Sequence, residues 1–401
     1  MSESRRPRIP RGLKPDGAAI WSYGFRPFFL FGALWAALAM TLWMAALAHG
    51  LPLGGDFGAP LWHAHEMVFG FAPAVLAGFL LTAIPNWTGG LPVSGRPLIG
   101  LVALWLAGRI AMGLAGLTGV PVASVLDMAF LPVLLGLCTR EIMRGRKWND
   151  LKVLGGVTAI TVGNVGFHVA VALDGDPQLW LRSAITGYVV LVTIIGGRVI
   201  PSFTRNWLSR RGVSLLPVAY GGFDMGVILC SAIALTAWAA LPEMPWIVPL
   251  ALLASVLNIA RLARWRGTAA RAEWLLLVLH LAYAFVPLGF VAIALAASGV
   301  LLPVSALHVL TVGVIATMML AMMTRATRGH TGRPLTASRW TMLSYLSLFA
   351  AALARPLADI GDWPRLMEAA GMLWLLAFAL FLAEYGGMLL RVRRTPRGEG
   401  V

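Results

Sequence analysis

The chain alternates between long apolar segments and short polar loops. Each segment carries at most one or two charged residues and approaches the length of about 20 residues that an α-helix needs to cross a bilayer. The apolar segments lie near 28–48, 65–84, 97–116, 121–138, 152–173, 179–197, 214–241, 246–260, 273–298, 304–324, 338–354 and 366–390. This pattern predicts an all-α, polytopic membrane protein with about twelve transmembrane helices.

The loops are too short to hold a soluble domain, and no linker or low-complexity run divides the chain. We therefore predict one integral membrane domain over 1–401, with a basic cytoplasmic segment at 1–26 and a cytoplasmic tail at 391–401. No small-residue cleavage site follows the basic start, so the first apolar segment is expected to be a retained anchor.

The composition agrees with this class. Hydrophobic residues make up 59% of the chain and charged residues only 12%, whereas a soluble domain carries about 25% charged residues. The two cysteines, Cys138 and Cys230, fall in different apolar segments, which favours neither a disulfide framework nor a cysteine metal site.

The net charge of +15 could indicate a nucleic-acid-binding protein, but the placement of the charge favours a membrane protein instead. With the N-terminus inside, 28 Lys and Arg residues fall on the inner side. Only Arg182, Arg355 and Arg365 fall outside, and Arg109 lies within a span. This asymmetry follows the positive-inside rule. It predicts an even number of helices and two cytoplasmic termini, with the lipid bilayer rather than nucleic acid as the partner.

Similar sequences recur at the ends of three predicted helices. The pairs Ile84-Pro85 and Ile200-Pro201 are 116 residues apart, and Thr204-Arg205 and Thr324-Arg325 are 120 apart. Three repeats of four helices, in which helices 2, 6 and 10 correspond, would account for both spacings. Chance similarity among apolar sequences is the alternative.

Histidines are the most informative polar residues within the spans. A rise of about 1.5 Å per residue gives the depth of each one. Four of them fall in one outer-leaflet layer, on helices 2, 5 and 10: His63, His65, His168 and His308. His280 falls in the inner third of helix 9, whereas His49 and His330 fall in loops.

A layer of imidazoles from different helices is typical of a metal or haem site. Hydrogen bonding between helices is the alternative for each histidine taken singly. His63 and His65 would point about 200° apart on a regular helix. The two can therefore bind one metal only if His63 lies in the preceding loop.

Charged residues at membrane depth need partners. Arg109 and Asp127 fall at similar depths on helices 3 and 4, so we predict an ion pair between them with a structural role. Glu66 adjoins the histidine layer and is a candidate either for handling protons or for orienting a ligand imidazole. Asp224 has no evident partner in the sequence.

Several motifs together resemble the NnrS family. They are Gly24-Phe-Arg-Pro-Phe-Phe29, Trp62-His-Ala-His-Glu-Met67, Ile84-Pro-Asn-Trp-Thr88, Arg198-Val-Ile-Pro-Ser-Phe-Thr-Arg-Asn206, His308-Val-Leu-Thr-Val-Gly313 and Thr324-Arg-Ala-Thr-Arg-Gly-His-Thr-Gly-Arg-Pro-Leu335. The resemblance spans essentially the whole chain. It implies a bacterial cytoplasmic-membrane protein that contains haem and copper and is associated with nitric oxide metabolism and nitrosative stress.

The resemblance does not assign individual ligands, so the depth argument selects them. We expect His168 and His308 to be the axial ligands of a haem b, with Arg109 as a further cofactor-binding residue. His63 and His65 would supply a second metal, copper, or an alternative axial position, and His280 is an additional candidate metal ligand.

The working hypothesis is a redox protein that acts on nitric oxide, with an oxidoreductase activity like that of a nitric oxide reductase. Such an activity would need an electron donor, either a quinol or an external redox protein, and Glu66 is the candidate for proton delivery. Two alternatives stay open: a haem-based nitric oxide sensor without turnover, and a proton-coupled transporter that uses intramembrane charges such as Asp224.

Overall fold

A computed structural model describes residues 17–392. Most of the predicted basic segment at 1–26 and of the predicted tail at 391–401 lies outside the described residues.

Within residues 17–392 the chain forms twelve apolar helices joined by short loops. In chain order they are α1 (Phe25–His49), α2 (Gly55–Thr88), α3 (Arg96–Gly113), α4 (Val120–Arg144), α5 (Trp148–Ala172), α6 (Gln178–Ser209), α7 (Gly222–Ala240), α8 (Ile247–Ala263), α9 (Trp274–Ala297), α10 (Pro303–His330), α11 (Arg339–Ile360) and α12 (Pro364–Leu390). All except α8 are long and apolar enough to cross a membrane. The prediction of an all-α, polytopic membrane protein is confirmed.

Local sequence explains where several helices begin and end. Gly50 and Gly89 follow α1 and α2 with φ of 65° and 75°, a left-handed conformation that glycine adopts at little cost. Proline occupies the first turn of α3, α4, α10 and α12, where its missing N–H leaves no hydrogen bond unmade.

The helices α2, α6 and α10 differ from the rest. They are the three longest, and each contains a π-helical segment: Glu66–Phe71 in α2, Val192–Gly196 in α6 and Val309–Ala316 in α10. These are the same three helices that the repeat prediction puts in correspondence. Their shared irregularity favours three structural repeats over chance similarity.

Packing places these three helices together in the bundle. α2, α6 and α10 contact one another, while α1 packs against α12 and so brings the two ends of the chain side by side. All three begin at the end of the bundle that carries His63 and His308, which we call the histidine end. They finish at the end that carries Arg205 and Arg325, which we call the arginine end.

Candidate metal and cofactor sites at the histidine end

The two histidines of α2 point in different directions. Both lie in the regular α-helical segment Gly58–His65, just before the π-helical segment. His63 is therefore not in a preceding loop, and the angle of about 200° between positions two apart on a helix separates the two rings. His65 turns into the protein towards α4 and α5, and His63 lines a cavity.

His65 meets His168 of α5 and Asp127 of α4 in a buried triad. The Nε2 atom of His65 lies 3.1 Å from Asp127 Oδ2 and 3.2 Å from His168 Nε2. His168 Nε2 is 2.9 Å from the same carboxylate oxygen. All three side chains are buried. Three ligand atoms of the kinds that transition metals prefer therefore converge on one point.

The spacing of the triad suits a metal ion. Ligands arranged tetrahedrally at about 2.0 Å from a metal lie about 3.3 Å from one another. The three ligand atoms are 2.9 to 3.2 Å apart, so small shifts of the side chains would admit an ion. A set of two imidazoles and a carboxylate leaves open positions for a further ligand.

Glu66 fixes the orientation of His65. A carboxylate only accepts hydrogen bonds, so His65 Nδ1 donates to Glu66 Oε1 at 2.9 Å. The lone pair of His65 is then on Nε2, which faces the triad. Glu66 Oε2 also accepts from Trp35 Nε1 at 2.7 Å and from Arg109 Nη1 at 2.5 Å. This is the arrangement that orients metal-binding imidazoles in other proteins.

The predicted ion pair between Arg109 and Asp127 is confirmed. The guanidinium also pairs with Glu66, so one cation bridges two carboxylates. With both imidazoles neutral, this buried group carries one net negative charge, and a metal cation would compensate it. The amide of Asn164 donates to Asp127 Oδ2 at 2.8 Å and holds the carboxylate in place.

A cavity of about 320 Å³ lies on the other side of α2. His63 and His308 both line it, together with apolar side chains from α1, α2, α6, α10, α11 and α12. The His63 ring stacks on Trp43, with centroids 4.6 Å apart and planes 13° from parallel. His308 Nδ1 donates to the carbonyl oxygen of Val304 at 2.8 Å, which leaves the lone pair of its ring on Nε2.

The donor set of this cavity fits a haem. His63 and His308, from helices distant in sequence, would hold the haem iron through their imidazoles, and the remaining wall is mostly apolar. Arg355 also lines the cavity and supplies a cation for acidic side groups. Among the described residues, the buried Nδ1 atom of His63 has no hydrogen-bond partner. The volume falls in the usual range for small-molecule sites, about 300–1,000 Å³.

The structure does not bring together every residue that the sequence suggested. His168 belongs to the triad and His308 to the cavity, so the expected axial pair is divided between two sites. Arg109 lies beside the triad and does not line the cavity. His280 donates to or accepts from Thr204 Oγ1 at 2.9 Å and packs beside Trp265, apart from both sites.

Trp43, Tyr188 and Trp374 are among the lining residues that escaped the sequence analysis. Asp127 was identified only as an ion-pair partner. No spacing in the sequence links it to His168, because the two residues lie on different helices that meet only through tertiary packing.

Asp224 has a partner in the structure. Its Oδ1 atom accepts from Nε of the buried Arg261 at 2.9 Å, and Arg261 also donates to Tyr283 and to the Thr193 carbonyl oxygen. Asp224 and Arg109 are therefore both paired. Of the two observations behind the transporter alternative, repeated helix groups and intramembrane charges, the charges at Asp224 and Arg109 are thus accounted for by ion pairs.

Comparison with known proteins gives one result. A family model described as NnrS protein matches residues 19–393, nearly the whole chain. None of the curated proteins compared with the chain matches it.

Proposed function

The chain belongs to the NnrS family, and from this premise we propose a membrane redox protein that acts on nitric oxide in nitric oxide metabolism or defence against nitrosative stress. In this proposal a haem b is held by His63 and His308, and a copper ion is held by His65, His168 and Asp127. One observation carries the proposal: a single turn of α2 presents one histidine to each of two adjoining sites.

The haem assignment is supported by the cavity. Its two imidazoles come from α2 and α10, and its wall is mostly apolar. Arg355, the one cation among its described lining residues, is suited to a propionate. Arg355 is held by Asp359 at 2.6 Å, which also accepts from Ser305. The haem ligands in this proposal are thus His63 and His308, rather than His168 and His308 as the sequence suggested.

The copper assignment is supported by the triad. Imidazole suits copper, zinc and iron, and the net negative charge of the group with Glu66 and Arg109 favours a cation. Haem iron and copper supply one-electron transfer and a coordination position for nitric oxide when they are bound.

Glu66 is, in this proposal, a positioning residue. Its two oxygens accept from His65, Trp35 and Arg109, so the carboxylate is fully engaged in orienting its neighbours. Nitric oxide is small and apolar and can enter from the bilayer. Turnover would also need electrons, and a quinol or an external redox protein is the proposed donor.

The test is the optical spectrum and metal content of purified protein. Wild-type protein and a His49→Ala control, altered at an exposed histidine, should show a Soret band. His63→Ala and His308→Ala should lose it, whereas His168→Ala should keep it and lose copper. Monodisperse wild-type protein that is colourless and free of metal would overturn the proposal, and loss of the Soret band in His168→Ala alone would overturn the ligand assignment.

A further inference from the structure

A second cavity, of about 70 Å³, lies farther from the histidine end than the first. We call it the apolar cavity, because every side chain that lines it is apolar apart from the hydroxyl of Tyr188. It is formed by residues of α1, α2, α6 and α10, among them Phe29, Val75, Val192 and Met318.

The apolar cavity adjoins the cavity that contains His63 and His308. Tyr188 and Ile315 line both, so these two side chains lie between neighbouring cavities. The Tyr188 hydroxyl donates to the Val68 carbonyl oxygen at 3.0 Å. This carbonyl belongs to the π-helical segment of α2, and the hydrogen bond fixes the position of the ring.

All three π-helical segments border these two cavities. Val68 of α2 lines the first cavity, Val192 of α6 lines the apolar cavity, and Ile315 of α10 lines both. Such segments interrupt the regular helix and are frequent at functional sites. Their position ties the apolar cavity to the same functional region as the histidines.

The apolar cavity lies near the middle of the long helices that form it. Met318 is the sixteenth of the 28 residues of α10. A helix of this length crosses a hydrocarbon core of about 30 Å, so we expect the cavity near the middle of the bilayer. Phe79, Val199 and Met319 line the cavity and keep some exposure, so it is not sealed from its surroundings.

We propose that the apolar cavity takes up a small apolar gas molecule at the middle of the bilayer and passes it between Tyr188 and Ile315 to the cavity of His63 and His308. A single water molecule needs about 10–15 Å³ of such space, so a cavity of about 70 Å³ has room for a diatomic gas. The inference rests on the proposed function only for the binding of the gas in the cavity of His63 and His308.

Xenon tests the cavity without reference to haem, because this gas binds in dry apolar cavities. Crystals of the wild-type protein under xenon pressure should show a xenon atom among Val75, Val192 and Met318. The variant Val192→Phe, which fills the space, should lose it. Val256→Phe makes the same change at a site that is 61% exposed on α8 and should keep it. Wild-type crystals without xenon at this position would overturn the inference.

Carbon monoxide tests the route. In protein that shows a Soret band, rebinding of carbon monoxide after flash photolysis should be at least severalfold slower in Val192→Phe than in Val256→Phe, with the same equilibrium spectrum. Equal rates would overturn the route even if xenon binds. Protein without a Soret band would defeat the proposed function instead, and the xenon result would still decide whether the cavity takes up gas.

Discussion

The Nε2 atoms of His65 and His168 lie 3.2 Å apart, although 103 residues separate them in the sequence. Asp127 completes a triangle with both. Each neutral imidazole carries only one N–H donor, and the carboxylate carries none. The triangle therefore contains more lone pairs than donors to pair with them. His168 Nδ1 is also buried without a partner among residues 17–392. A metal ion would use the lone pairs that face the centre.

We expect Asp127→Asn to lower the affinity for copper at least 10-fold. The substitution keeps the shape of the side chain and removes the negative charge that balances Arg109 and a bound cation. Removing even a residue that only hydrogen-bonds to a metal ligand commonly lowers the affinity for the metal 10- to 100-fold. Titration against a competing chelator measures the change. Asp176→Asn, at an exposed loop position, is the control, and equal affinities for the two variants would contradict the assignment.

Glu66→Gln should also weaken copper binding, by about 10- to 100-fold, and should leave the Soret band in place. An amide can hydrogen-bond to His65 Nδ1 through either end, so the variant no longer selects the ring tautomer that presents Nε2 to the triad. The exposed Glu243 provides the control Glu243→Gln. Full copper affinity in Glu66→Gln would show that the carboxylate does not orient His65.

The sequence predicted much of this arrangement, and the missing part has a physical cause. The depth of each residue follows from helix rise, so the histidine layer and the pairing of Arg109 with Asp127 were predictable. The angle between His63 and His65 was also predictable from helix periodicity. Depth does not say which way a helix faces, and rotation about the helix axis is fixed by tertiary packing.

The rotation of the helices divides the layer into two sites. Judged by depth alone, His308 could pair with either His63 or His168. The packing of α5 against α4 and α6 turns His168 away from the cavity. The hydrophobic pattern does not reveal the π-helical segments. These helices are apolar throughout, so a turn that contains an extra residue has the same composition as its neighbours. The repeated Ile-Pro and Thr-Arg pairs pointed to the three helices that contain π-helical segments, but they did not reveal the segments themselves.

Replacing Arg109 should destabilise the protein strongly. Arg109→Met leaves Glu66 and Asp127 as two buried carboxylates without a countercharge, and removal of one partner from a buried ion pair costs about 3–5 kcal/mol. Thermal unfolding in detergent should therefore begin at a clearly lower temperature. Arg96→Met, at an exposed position at the start of α3, should unfold like the wild type. An equally stable Arg109→Met protein would contradict a structural role.

Gly197 of α6 should tolerate no side chain. A Cβ atom at this position would overlap the guanidinium of Arg261, which is fully buried and held by Asp224. We expect Gly197→Ala to lower stability by about 1–3 kcal/mol through overpacking. Gly226→Ala in α7, where a Cβ meets no atom within 4 Å, is the matched control. The melting temperatures of the two variants decide the point, and equal values would mean that Arg261 moves aside freely.

The distribution of arginine predicts the orientation of the bundle in the membrane, and cysteine labelling tests this prediction. In a background with Cys138 and Cys230 replaced, Leu117→Cys places a thiol on the loop between α3 and α4, at a position 85% exposed. Ser209→Cys places one at the exposed end of α6. The loops at the arginine end carry most of the basic residues, so the positive-inside rule predicts that this end is cytoplasmic. A membrane-impermeant maleimide should label the first variant in intact cells and the second only after the cells are opened. The reverse pattern would place the histidine sites on the cytoplasmic side and would require the donor of electrons to be sought there.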